Sequence, residues 1–128
     1  MLLQIIKAIR PINLLVITLT FYVLHTLGIN SLEINLGTYK ISLKFLIITT
    51  LLIAAAGYLI NDYYDIEIDF INKGNKQNRL SKQALLTGYI ILNITALILS
   101  FTFAFSNYIF WIFPSSIILL WLYSFKLK

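Results

Sequence analysis

The chain alternates long apolar runs with short polar connections, and the runs have the length of a bilayer rather than of a globular core. A hydrocarbon layer of about 30 Å takes about 20 apolar residues in helical form. Four runs meet that measure, near Ile12 to Ile29, Ile41 to Ile60, Ala84 to Phe105 and Tyr108 to Phe125. Each is apolar around its whole circumference, without the single stripe that marks the surface helix of a soluble protein. Pro114 lies inside the fourth run and predicts a kink, which neighbouring helices tolerate in membranes. The pattern predicts an all-α membrane protein with four transmembrane helices.

The connections carry the topology. Lys7 and Arg10 precede the first run, Lys73, Lys76, Arg79 and Lys82 separate the second from the third, and Lys126 and Lys128 follow the fourth. These eight basic residues fall on one side of a four-pass chain, against Lys40 and Lys44 on the other. The excess predicts that both termini and the Asn61 to Gln83 connection face the cytoplasm, in a multi-pass protein of the inner membrane. The first run resembles a secretory leader in following Lys7 and Arg10, but no small-residue cleavage site follows it, so it reads as an uncleaved helix. No soluble domain, linker or internal repeat interrupts the pattern, and residues 1–128 read as one transmembrane domain.

Composition narrows the chemistry. The chain is 59% hydrophobic and 12% charged, where about a quarter charged is usual for a globular domain. The absence of cysteine excludes a disulfide scaffold, a thiolate metal site and thiol catalysis. The net charge of +5 is scattered between apolar runs and forms no continuous basic face, which argues against nucleic acid as a partner. His25 stands without a second metal-ligating neighbour and reads as an interfacial residue. Trp111, Trp121, Tyr108 and Tyr123 suit interfacial belts or helix packing. Asn93-Ile94-Thr95 matches a glycosylation acceptor by letter but lies within a span.

Four of the five acidic residues fall between Asp62 and Asp69, directly after the apolar run that ends at Ile60. On a helix, Asp65 lies about 60° and Asp69 about 20° behind Asp62, whereas Glu67 points about 140° away. Three carboxylates therefore share one face, Asn61 stands at its edge, and Gly74 is a natural stop for the helix. Like charges gathered at a membrane boundary need compensation. Oxygen ligands of this kind suit Mg2+, which keeps waters and shares phosphate oxygens, and Lys73, Lys76 and Arg79 just downstream suit the remaining phosphate charge. Two other readings stay open on spacing alone: a solvated loop paired with the following lysines, and an ion or proton pathway.

Asn61-Asp62-Tyr63-Tyr64-Asp65-Ile66-Glu67-Ile68-Asp69 fits the NDxxDxxxD pattern and resembles that motif in the UbiA family of intramembrane prenyltransferases. Arg10-Pro11-Ile12-Asn13 resembles the family's opening of the first helix, Ala54 to Ile60 its small-residue approach to the motif, Ile71-Asn72-Lys73 the stretch after it, and Tyr123 to Lys128 the end of its fourth helix. The phrasing from Ile53 to Asp65 looks most like the bacterial branch named for geranylgeranylglycerol-phosphate geranylgeranyltransferase.

The resemblance implies a magnesium-dependent enzyme that transfers a polyprenyl group from a polyprenyl diphosphate to a lipid or aromatic acceptor. It implies Asp62, Asp65 and Asp69 as catalytic metal ligands, with Asn61 beside them and Asn13 lining the cavity from the first helix. Lys73 and Lys76 would grip the leaving group, and Tyr58, Tyr63 and Tyr64 would be candidates for the cavity wall. Two departures stand out. Gly74 replaces a proline and Lys76 an arginine of the family's usual continuation, losing stiffness and a bidentate fork. The family bundle has about nine helices and a second aspartate-rich motif, whereas the only acidic residue outside the cluster here is Glu33.

On that resemblance the chain corresponds to the first part of the bundle, with the C-terminal half absent, and is expected to be inactive alone, as a fragment, a split half or a remnant. The rival class is a small four-helix protein for cation binding or transport, assembled as a homo-oligomer. It needs ionisable groups along a pathway within the spans, and the middles of these spans contain no acid, lysine or arginine. Neither the acceptor nor the prenyl length is legible.

Overall fold

The computed structural model describes residues 2–31, 43–73, 80–104 and 109–126. Among them there is no strand, and the order is α1 (Leu2–Ala8), α2 (Pro11–Ser31), α3 (Leu43–Lys73), α4 (Lys82–Ala104) and α5 (Ile109–Lys126). Helices α2 to α5 match the four apolar runs. Within α3 and α4, the stretches Lys44–Ile66 and Lys82–Thr102 are long and apolar enough to cross a membrane, while Pro11–Leu27 and Phe110–Lys126 are shorter apolar segments. Helix α5 continues through Pro114. Helix α1 adds to the expected set: a seven-residue helix of about two turns, set off from α2 at Ile9 and Arg10.

Helix α3 organises the molecule. It packs most extensively on α4, then on α5 and α2, and touches α1. Its 31 residues extend about 46 Å, well beyond the 30 Å or so of hydrocarbon. The helix therefore carries the acidic motif as its own continuation, and the reading of those residues as a loop is set aside.

Small residues bring the helices together. Ala55 and Ala56 are buried on α3, and a Cβ at Gly57 would stand 3.1 Å from Leu120 Cδ1 of α5. A Cβ at Gly88 of α4 would stand 2.8 Å from Leu59 Cδ1. Close approach through glycine is how helices gain packing where lipid removes the usual hydrophobic drive. Phe45 of α3 meets Phe113 of α5 edge-to-face at 5.9 Å, with Ile53 and Ala96 in the same buried cluster. Ser81 starts α4, its hydroxyl oxygen accepting from the Ala84 amide at 3.1 Å as an N-cap.

The outward faces are apolar, with Leu15, Leu19, Ile94, Ile98, Trp111 and Leu119 all exposed. Hydroxyl groups on these faces bond within their own helix: Thr20 to the Val16 carbonyl, Thr95 to Ile91, Thr102 to Ile98 and Ser115 to Trp111. In hydrocarbon such a bond satisfies a donor that water would otherwise take. Thr49 Oγ1 and both amide atoms of Asn93 are buried without a hydrogen-bond partner. Burial of Asn93 also bears on its glycosylation-like triplet, which lies within α4 and out of reach of solvent.

Candidate active site

Positions on α3 three and four apart line one stripe: Ala54, Gly57, Tyr58 and Asn61, then Asp62 and Asp65. The first four line a pocket of about 530 Å³ together with Arg10 and Ile17 from the N-terminal segment and Leu120, Tyr123 and Ser124 of α5. From Asn61 to Ala54 the stripe descends about 10 Å along the helix axis. Its upper end is polar, with Arg10, Tyr58 and Asn61, and its lower end is walled by Ala54, Ile17 and Leu120.

Arg10 stands at the joint between α1 and α2 with φ of 51°, in the left-handed region. For a residue with a side chain this costs about 1 to 2 kcal/mol. Pro11 follows as the first residue of α2, where its missing donor and fixed φ are harmless. The Arg10 carbonyl accepts from the Asn13 and Leu14 amides at 2.9 and 3.3 Å, which starts the helix. The side chain is then carried back over α3. Its guanidinium donates to Asp62 Oδ1 at 3.1 Å and lies 5.1 Å from the centre of the Tyr58 ring, one turn below. One turn above Asn61, Asp65 Oδ2 accepts from the Asn61 side-chain amide at 3.0 Å. Asp62, Asp65 and Asn61 are all half-buried.

An aromatic collar closes the neighbouring side. Tyr63 and Tyr64 meet edge-to-face at 5.1 Å, Tyr64 leans on Phe125 at 5.7 Å, and Phe125 stacks on Trp121 at 5.4 Å. Lys82 Nζ, at the first position of α4, lies 5.0 Å from the Tyr63 ring centre.

Of the residues expected from the sequence, the structure brings Asn61, Asp62 and Asp65 together. Asp69 and Lys73 lie on the same helix, but their side chains fall outside the described residues, as do Lys76 and Arg79 entirely. Asn13 is exposed on α2, and the pocket lining does not include it. Lys82, which the sequence offers as a topological charge, and Arg10, which it offers as a topological charge and as part of the helix opening but not as a site residue, both stand beside the motif; the Arg-Pro pair at a helix start is the one signal for Arg10. Among the described residues no group of three carboxylates or imidazoles forms a metal cluster. Two carboxylates and an amide on adjoining positions nonetheless offer the hard oxygen donors that suit Mg2+.

Residues 13–128 match the UbiA prenyltransferase family. The chain belongs to that family. Digeranylgeranylglyceryl phosphate synthase of Thermococcus sibiricus is 32% identical over 126 residues, covering 96% of this chain and 43% of that protein. The protein of the same name from Saccharolobus solfataricus is 40% identical over 79 residues, covering 48% of this chain and 28% of its own length. Their shared name belongs to the branch that the stretch from Ile53 to Asp65 resembles. The chain spans less than half the length of these curated relatives. No solved structure matches it. Family membership and the apolar helices together make it a membrane-embedded protein.

Proposed function

We propose that this chain forms the diphosphate-binding side of a prenyltransferase that moves a polyprenyl group from its diphosphate to a hydrophobic acceptor within the membrane. The observation that carries the reading is the stripe on α3 that runs from an apolar pocket into two carboxylates, Asp62 bonded to Arg10 and Asp65 bonded to Asn61, the arginine and the amide both lining the pocket. A prenyl diphosphate has the same polarity along its length.

In this reading the tail lies along Ala54, Ile17 and Leu120, and the head lies by Asn61, Asp62, Asp65 and Asp69. Mg2+ held by those carboxylates would supply charge stabilisation as negative charge gathers on the departing diphosphate. Lys73, Lys76 and Arg79 follow the motif closely enough to take up phosphate charge, and Asn13 stands one turn from Arg10. The allylic C–O bond breaks with its electron pair leaving on the diphosphate, and the acceptor attacks the cation and then loses a proton. The Tyr58 ring, at the wall by the head, attracts the cation. The apolar lining excludes the water that would quench it. The basic residues favour a site and termini on the cytoplasmic face of the cytoplasmic membrane.

The test is calorimetric binding of a non-hydrolysable polyprenyl thiolodiphosphate to the purified chain in detergent. Binding is expected to require Mg2+ and to weaken at least tenfold in Asp62→Asn and Asp65→Asn. Magnesium-independent binding, or cation flux in vesicles without any prenyl dependence, would overturn the reading.

A further inference from the structure

We propose that Arg10 is an exchangeable counter-charge, neutralising Asp62 while no cation is bound and turning to the diphosphate once a divalent cation takes its place on that carboxylate. This rests on the reading of Asp62 as a metal-diphosphate ligand and adds a residue that the NDxxDxxxD motif does not contain. The two positions are 52 residues apart, so the contact is made by the fold and not by local sequence.

Three features carry it. The Arg10–Asp62 pair is partly open, with the two side chains 44% and 33% exposed, and pairs of that kind exchange partners at small cost. The backbone beneath it is pinned: a left-handed residue between two helices, followed by proline and bonded through its carbonyl to two amides, holds its Cα fixed while the side chain turns. The guanidinium also lines the pocket's polar end beside Asn61, over the Tyr58 ring, where a diphosphate head would stand. A guanidinium fork matches two phosphate oxygens as well as it matches a carboxylate. A cation and Arg10 therefore compete for Asp62, whereas diphosphate and Arg10 cooperate.

Opposite signs for the two ligands separate this from a structural role. Mn2+ binding to the 128-residue chain in detergent, followed by electron paramagnetic resonance, is expected to tighten about threefold to tenfold in Arg10→Ala. Mn2+-dependent binding of inorganic pyrophosphate is expected to weaken about tenfold in the same variant, with Arg10→Lys between it and the parent chain. Where far-UV circular dichroism shows that Arg10→Ala is not folded, Arg10→Gln, which keeps length without charge, makes the same comparison. Unchanged or weaker Mn2+ binding on removing the charge overturns the exchange alone. Mn2+ binding that survives Asp62→Asn overturns the metal reading of Asp62, and the exchange with it.

Discussion

Asn61 is tied to Asp65 across one turn of α3, its amide nitrogen donating to Asp65 Oδ2 at 3.0 Å. The bond orients one carboxylate and turns the Asn61 carbonyl oxygen away from it. Asn61→Asp keeps the shape, removes the donor and adds a charge facing Asp65. Mg2+-dependent affinity for a polyprenyl thiolodiphosphate is expected to fall about tenfold, the order of one charge-assisted bond, as read by calorimetry. Unaltered affinity would show that the amide has no part in binding.

Gly57 bounds the pocket opposite Leu120, with 3.1 Å between its notional Cβ and Leu120 Cδ1. Gly57→Val puts branched carbon into the space assigned to the tail and leaves the head group alone. Prenyl thiolodiphosphate affinity is expected to drop more than tenfold while Mn2+-dependent pyrophosphate binding stays within about twofold. Equal losses for both ligands would place the tail elsewhere.

Thr49 is fully buried, and its hydroxyl has no hydrogen-bond partner. Thr49→Val replaces that hydroxyl with a methyl group of similar volume and is expected to stabilise the chain by about 1 kcal/mol. Asn93→Leu, removing an amide in the same condition within α4, is expected to change stability in the same direction. Denaturant unfolding in detergent measures both, and destabilisation would mean that these groups are satisfied in the membrane.

Turnover is the fourth expectation. Outside the Asp62 to Asp69 cluster the chain has only Glu33 as an acid, and it spans 43% of the Thermococcus relative. Prenyl transfer by the purified chain is expected to be undetectable, and to appear on co-expression with the remaining helices of a family member. A radiolabelled prenyl-transfer assay with Mg2+ decides, and robust turnover by the 128 residues alone would refute it.

The helices were legible because a span needs only length and apolarity, both written in the letters. The continuation of α3 through the motif was legible too, since Asp62 and Asp65 keep helical spacing and Gly74 offers the next stop. The break at Arg10 was not. Ahead of the first span only the charges of Lys7 and Arg10 stand out in the sequence, and proline at position 11 suits a helix start without revealing a separate helix before it. The site was legible where its parts are neighbours in sequence, as with Asn61, Asp62 and Asp65. It was hidden where the partners are distant: topology accounts for Lys82, topology and the helix opening account for Arg10, and only packing of α2 and α4 on α3 brings them to Tyr63 and Asp62.

An unbroken α3 also means that the angular setting of its carboxylates is inherited from the buried turns below. One residue inserted between Ile60 and Asn61 would rotate the whole acidic segment by about 100° relative to Ala54 and Gly57. Such an indel would swing Asp62 off Arg10 without altering a single letter of the motif, so phase, more than wording, is what this helix has to keep.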